Sequence, residues 1–141
     1  MKYYFSYGMN TNIEEMARRC PKAKCLGRVL LSNYKFVFRY HADIEPCNNK
    51  EVIGVLWQIT SQCEQALDSL EGYPYYYGKQ EVIVKTLDGE NINGMTHFNA
   101  MVYSMNNQTT TDNPSKSYYN CLIDGYTANN ISTNQIEQAL I

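Results

Sequence analysis

Apolar and polar positions in the N-terminal half of the chain predict mostly extended structure with one short helix. An aromatic run predicts a strand at residues 2–6, and a capping-box pattern at residues 11–14 predicts a helix that Pro21 ends. β-Branched and aromatic runs then predict three more strands. These strands fall at about 25–32, 34–40 and 52–59, with a turn at Ser32-Asn33 and a polar loop at 45–50.

The C-terminal half places helices among further strands. A second capping box at residues 61–64 predicts a helix that ends at Gly72. Strands are expected at 75–86 and 92–105, joined by a hairpin at Asp88-Gly89. Two more helices are predicted, one from Asn113-Pro114 to Gly125 and one after a third capping box at 132–135. This order predicts an α+β fold whose mixed or mainly antiparallel sheet curls into a small β-barrel with peripheral helices.

Length and composition place the chain among small globular proteins. Its 141 residues suit a single domain at 1–141, and 44% hydrophobic with 18% charged residues suits a soluble core-forming chain. The net charge of −2 favours neither a nucleic-acid partner nor a membrane partner. There is no membrane-length apolar run and no signal-peptide pattern, so we expect a cytoplasmic protein.

Cysteines and basic residues suggest no special chemistry. The five cysteines are odd in number and lack Cys-x-x-Cys spacing, so we expect reduced thiols rather than a disulfide framework. A zinc site would need His41 or His97 to join scattered cysteines, and no metal or cofactor is predicted. A local basic cluster is interpreted as a solvated face, with an anion site as the alternative. It contains Arg18, Arg19, Lys22, Lys24 and Arg28.

Glu71 occupies an unusual place for a carboxylate. Cys63, Leu67 and Leu70 form an apolar stripe on the predicted helix, and Glu71 lies at the edge of that stripe near the helix end. Partial burial and the negative end of the helix dipole both disfavour its charged form. We therefore expect a raised pKa that suits a general base, whereas position alone also allows a solvated helix-end glutamate.

The predicted strand-to-helix turn at residues 7–12 is a second candidate site. Backbone N–H groups would point to a common spot beside the positive end of a helix, and Gly8 would let another group approach the backbone. Such a turn suits a carboxylate or a developing oxyanion, although it could be an ordinary connection. The chain has no glycine-rich phosphate motif, so phosphate binding is not indicated.

The residues present give little support to a serine or cysteine hydrolase or to a glycosidase. A serine or cysteine hydrolase needs a positioned histidine, and the chain has only His41 and His97 and no Gly-x-Ser-x-Gly motif. A glycosidase would pair two carboxylates, and Asp68 could neighbour Glu71 on the helix. We interpret Asp68 as a structural residue.

Five segments stand in order along nearly the whole chain: residues 3–10, residues 67–72, Tyr77 with residues 82–84, residues 100–103, and residues 114–118 followed by Gly125. Together they resemble the gamma-glutamylcyclotransferase family, which includes the gamma-glutamylamine cyclotransferases and the AIG2-like proteins. Residues 67–72 match the family's Leu-Asp-x-x-Glu-Gly segment, and Glu71 corresponds to its catalytic glutamate. Residues 3–10 resemble the family's opening strand and Tyr-Gly-Ser-Asn loop, but Met9 stands where the family usually has Ser or Thr.

The resemblance implies an amide-cleaving acyltransferase that cyclises a gamma-glutamyl amino acid or amine to 5-oxoproline and a free amine. Glu71 would act as general acid and base, and no cofactor would be needed. The turn would bind the glutamyl end or stabilise developing negative charge, and tyrosines would shape the pocket. The implied substrate-binding residues are Tyr7, Gly8, Met9, Asn10, Thr11, Tyr77, Tyr103 and Tyr118.

Two alternatives remain open at this level. The leaving group could differ, as in a gamma-glutamyl isopeptide or natural product. The fold could instead serve a non-catalytic module that binds a small metabolite or a partner, which Met9 favours slightly. The expected partner is a small gamma-glutamyl molecule, and the oligomeric state is open, with a homodimer as one option.

Overall fold

The computed structural model describes residues 2–141, and within them five strands close into a barrel flanked by four helices. The strand order around the barrel is β1-β3-β2-β4-β5. β5 returns to β1 through a parallel pairing of Tyr4 with Met101, and the other pairs are antiparallel. The strands are β1 Lys2–Ser6, β2 Lys24–Arg39, β3 His41–Ile59, β4 Tyr77–Thr86 and β5 His97–Met105, and the helices are α1 Ile13–Arg19, α2 Ser61–Leu70, α3 Lys116–Ala128 and α4 Asn134–Gln138.

Apolar side chains from the barrel strands form the core. Phe5, Val55 and Leu56 are fully buried, and so are Val84 on β4 and Val102 on β5. The barrel removes the open sheet edges that would otherwise expose unpaired backbone groups. The predicted α+β class with a mainly antiparallel barrel is therefore confirmed. Within residues 2–141, no helix has both the length and the apolar character needed to cross a membrane.

The hairpin formed by β2 and β3 is longer than the sequence predicts. The predicted turn at Ser32-Asn33 is wrong, because Asn33 adopts a φ of 64° in a bulge and the strand continues. The chain instead reverses at Tyr40, which has a φ of 68° between the paired Arg39 and His41. The predicted loop at 45–50 lies within the bounds of β3, where Glu45 and Pro46 pair with Lys35 and Tyr34. Residues 47–50 are not paired with any residue of β2 and form a large bulge opposite Asn33. β4 and β5 are also shorter than expected at their N-terminal ends.

All four predicted helices exist, although their first residues differ from the prediction. The capping side chain accepts a backbone N–H three residues later in α1, α2 and α3. In each helix a polar neighbour in the same cluster takes the capping position. The observed N-caps are Asn12, Thr60, Ser115 and Thr133, in place of Thr11, Ser61, Asn113 and Ser132.

Gly125 lies inside α3 rather than at its end, so the predicted helix end is wrong. α3 continues to Ala128, and Gly125 is buried against the turn that precedes α1. A Cβ atom at this position would lie 2.5 Å from Thr11 Oγ1 and 2.7 Å from the backbone nitrogen of Asn12. The glycine is thus required by the close approach of the helix to the turn.

Cys20 and Cys63 are joined by a disulfide, which corrects the expectation of reduced thiols throughout. Cys20 is the C-cap of α1, and Cys63 lies in the first turn of α2, so the bond links the two helices. The residues are 43 positions apart in sequence, and only the packing of α1 beside α2 brings their Cα atoms to 5.1 Å. Cys25, Cys47 and Cys121 are free.

Candidate active site

A cavity of about 300 Å³ opens between the end of α2, the turn before α1 and the start of β3. Glu71 lines it, together with seven of the eight residues expected to bind substrate. Only Thr11 of that set lies elsewhere. The seven are Tyr7, Gly8, Met9, Asn10, Tyr77, Tyr103 and Tyr118.

Glu71 is the C-cap of α2, and its backbone N–H still donates to Leu67. Cys63 and Leu67 of the predicted stripe are buried, whereas Leu70 is 44% exposed at the cavity. Burial raises the pKa of Glu71 from 4.5 to about 7, and the positive charge of Arg19 only partly opposes this shift. The carboxyl is therefore close to half ionised at neutral pH.

Asn10 connects the turn to Glu71 across the cavity. Its side-chain nitrogen donates to Tyr4 Oη at 3.1 Å and lies 3.5 Å from Glu71 Oε1. The residue is only 3% exposed, and its Oδ1 has no hydrogen-bond partner among residues 2–141. The backbone oxygen of Asn10 accepts from Trp57 Nε1 and the Ser6 hydroxyl, which fixes the turn to the barrel wall. Asn10 Oδ1 is therefore a buried hydrogen-bond acceptor beside the Glu71 carboxyl, and that carboxyl is the group that could take a proton.

The turn itself is a short 3₁₀ helix at Met9–Thr11 that follows Gly8, and no side chain caps it. A Cβ atom on Gly8 would lie 2.9 Å from Ala42 Cβ and 3.4 Å from Tyr118 Oη, so a larger residue would push into the wall of the cavity. Thr11 is fully buried and does not line the cavity. Its hydroxyl donates to the Gly8 carbonyl at 2.7 Å, so Thr11 stabilises the turn without lining the cavity.

Tyrosine hydroxyls line the cavity, and those of Tyr7, Tyr77 and Tyr103 already donate to protein acceptors. Tyr77 donates to the carbonyl of Ala42 at 2.6 Å, and Tyr7 donates to the carbonyl of Tyr103 at 2.6 Å. Tyr118 instead accepts from the Ala42 N–H at 3.0 Å, which leaves its own proton available to a ligand. Burial raises the pKa of Tyr118, so its hydroxyl is neutral.

Asp68 belongs to a separate network beside the cavity. It accepts from Lys79 Nζ at 2.9 Å and from the Tyr103 hydroxyl at 2.6 Å, and the same lysine contacts Glu64 at 2.7 Å. These contacts hold α2 against β4 and β5, in agreement with the interpretation of Asp68 as a structural residue. Both oxygens of Asp68 are therefore engaged in this network.

Sequence reasoning missed several residues that line the cavity, of which Tyr4, Arg19, His41 and Tyr76 are polar. Arg19 was assigned to a solvated basic face, yet only 19% of its side chain is exposed. A signal existed, since Arg19 lies three residues after the buried Met16 and thus on the same helix face. His41 contacts the hydroxyl of Tyr76, and burial lowers its pKa, so it is neutral at pH 7.

The site therefore combines a carboxyl that titrates near neutrality with a polar turn, neutral hydroxyls and one guanidinium. In the described part of the chain, no three His, Cys, Asp or Glu side chains meet as a metal site would require. The arrangement can accept and return one proton within a cavity of metabolite size.

Several solved structures share the fold of this chain. Over 98% of this chain and 85% of the other, the fold matches a structure of a gamma-glutamyl cyclotransferase with 25% identity and a TM-score of 0.82. An uncharacterized protein from Homo sapiens matches over the same shares with 26% identity and a TM-score of 0.82. An AIG2-like protein from Mus musculus has 18% identity over 77% of this chain and 80% of its own, and its TM-score of 0.64 shows a shared fold.

The sequence comparison gives the same family. No curated protein matches the chain. A family model described as "Gamma-glutamyl cyclotransferase, AIG2-like" matches residues 4–120, which include the turn, Glu71 and Tyr118. The chain therefore belongs to the AIG2-like gamma-glutamyl cyclotransferase family.

Proposed function

We propose that this protein cyclises a gamma-glutamyl amide to 5-oxoproline and releases the free amine. The observation that carries the proposal is Glu71, a carboxyl with a pKa of about 7 that faces Asn10 of the turn within one cavity. A group that titrates near the working pH can take a proton and give it back within one turnover.

The reaction moves two protons from the attacking nitrogen to the leaving nitrogen, one at a time. Glu71 takes the first proton from the α-ammonium of the substrate, and the freed amine attacks the γ-carbonyl carbon to form a five-membered ring. Glu71 passes this proton to the leaving nitrogen, and the bond between that nitrogen and the carbon breaks. The ring nitrogen then gives its second proton to Glu71, which passes it to the released amine, so that 5-oxoproline and an ammonium are formed and Glu71 is again ionised. No water is consumed, and the unpaired Oδ1 of Asn10 is suited to accept from the ammonium before transfer.

The turn and the cavity walls supply positioning. Backbone N–H groups of Met9 and Asn10 lie at the start of an uncapped 3₁₀ turn, where they suit the α-carboxylate of the glutamyl group. Tyr118 has a hydroxyl proton to donate, and it suits the oxygen that gains negative charge during attack. Because the attack is intramolecular, holding the substrate folded between these groups accounts for much of the acceleration.

The direct test is product analysis with two isomeric dipeptides. We expect gamma-glutamyl-alanine to yield 5-oxoproline and alanine in equal amounts, measured by chromatography. α-Glutamyl-alanine has the same composition but cannot release alanine by this cyclisation, so it serves as the control. Release of glutamate rather than 5-oxoproline would show hydrolysis, and no turnover of any gamma-glutamyl amide would favour a binding module.

Activity should depend on pH through Glu71. The general base must be ionised in the free enzyme, and its pKa of about 7 lies well above the usual value. We therefore expect kcat/KM to fall about tenfold per pH unit below 7 and to level off above it. A profile of initial rates from pH 5 to 9 measures this, and an inflection near pH 4.5 would contradict the assignment.

A further inference from the structure

Arg19 brings a positive charge to the cavity wall that the chemistry above does not use. It is the last residue of α1, and it is the one lysine or arginine among the described residues that lines the cavity. His41 is the other basic residue there, and burial keeps it neutral at pH 7. Arg19 is therefore the one positively charged side chain among the described residues of the cavity wall, and such a charge points to an anionic part of the ligand.

The partners of Arg19 leave its charge incompletely neutralised. Nη1 donates to Glu15 Oε2 at 2.7 Å, whereas Nη2 faces the thioether sulfur of Met9 at 3.2 Å. A thioether is a weak acceptor and carries no charge. Glu15 also pairs with Arg18, so two guanidinium groups share one carboxylate. One nitrogen of Arg19 thus lacks a strong acceptor, and a carboxylate would supply it.

The roles proposed above for the turn and for Glu71 leave one group of the substrate for this charge to meet. In the proposed reaction the glutamyl α-carboxylate lies against the backbone N–H groups of the turn, and the ammonium lies against Glu71. A second carboxylate on the substrate would need a second anion site. We propose that Arg19 is a specificity-determining residue that binds a carboxylate on the leaving amine, so that gamma-glutamyl amino acids are preferred over gamma-glutamyl amines. This inference rests on the proposed function.

The test compares two substrates that differ only by the carboxylate. Gamma-glutamyl-alanine and gamma-glutamyl-ethylamide release alanine and ethylamine, so the ratio of their kcat/KM values reports recognition of that group. We expect Arg19→Gln to lower this ratio by between tenfold and about 100-fold, the range for a hydrogen bond to a charged group. Most of the change should appear in KM for the alanine substrate, because the carboxylate keeps its charge during the reaction.

Arg18→Gln is the matched control. Arg18 shares Glu15 with Arg19 but is 71% exposed in its side chain and does not line the cavity. It should leave the ratio within about twofold, as expected for an exposed pair. Arg19 also lowers the pKa of Glu71, so its loss slows both substrates near neutral pH, and the ratio removes this shared effect.

Four outcomes decide the inference. A selective loss on the alanine substrate in Arg19→Gln, with partial recovery in Arg19→Lys, supports it. An equal loss on both substrates overturns it and leaves the proposed function intact, because both would still yield 5-oxoproline. If the wild type turns over neither substrate, the proposed function fails and the inference fails with it. Should Arg19→Gln not fold, a wild type without preference for gamma-glutamyl-alanine would overturn the inference.

Discussion

Glu71→Gln should lower kcat/KM for 5-oxoproline release by roughly 10²–10⁴, the usual contribution of a positioned general base. Glutamine keeps the size of the side chain and can still contact Asn10 Nδ2, but it cannot accept the ammonium proton. Steady-state rates on gamma-glutamyl-alanine measure the loss. Glu81→Gln is the control, since Glu81 is an exposed glutamate on β4. Undiminished turnover in Glu71→Gln would remove Glu71 from the mechanism.

The same substitution should stabilise the protein at alkaline pH. The pKa of Glu71 is about 7 in the folded chain against 4.5 ordinarily, so the folded state holds the extra proton between these values. Wild-type stability therefore falls as pH rises from 4.5 to 7, by about 3 kcal/mol from this group. Glutamine does not ionise, so the variant should gain stability over wild type in that window and keep it above. Urea unfolding at pH 5 and pH 8 compares the two.

A gain in stability in Glu71→Gln would show that the ionised Glu71 carboxyl destabilises the folded protein. A partly buried carboxylate with no lysine or arginine bonded directly to it is unfavourable, and its presence is easier to explain by chemistry than by packing. Equal stability differences at both pH values would mean that Glu71 is better solvated than its position indicates.

Asp43→Ala should lower the free energy of unfolding by about 3–5 kcal/mol, because it breaks a buried ion pair. Asp43 is fully buried, and it accepts from Arg39 Nε at 2.9 Å, from the Met105 N–H at 2.9 Å and from Gln108 at 3.1 Å. Its loss would leave a nearly buried guanidinium and a backbone N–H without this acceptor. Urea unfolding at neutral pH measures the change.

Two further variants separate charge from packing. Asp43→Asn keeps the shape and an acceptor for Met105, so it should cost less than alanine. Glu45→Gln removes the more exposed partner of Arg39 and should cost no more than about 1 kcal/mol. If Glu45→Gln destabilises as much as Asp43→Ala, the strength of the network does not come from burial.

Asp43 also shows why the sequence understates this part of the fold. It lies where β3 begins, and nothing in its neighbourhood distinguishes it from a turn aspartate. Its partners come from β2, the end of β5 and the segment after it, 62 and 65 positions away for Met105 and Gln108. Local patterns carry no information about such contacts, so a fully buried charge could not be found from spacing.

The errors in the predicted hairpin turn and in the predicted helix N-caps have a similar cause, because tertiary contacts decided both. Asn33 and Tyr40 both adopt positive φ, and Asn is the residue that favours this region, so the sequence pointed to Asn33. Pairing with β3 holds β2 extended through Asn33, and the reversal falls on Tyr40 instead. At helix starts, neighbouring polar residues compete for the capping position, and tertiary contacts decide which one takes it.

The sequence by itself determined the type and order of most elements, the barrel class, the family, and the place of Glu71 at a helix end. These rest on hydrophobic periodicity, capping residues and short motifs, all of which act over a few residues. Only the tertiary structure decided that Asn10 faces Glu71 across 61 positions and that Cys20 bonds to Cys63. It also decided that Thr11 is buried away from the cavity and that Arg19 lines it. Burial and long-range approach set these features, because a side chain's charge and partners depend on what the whole chain brings beside it.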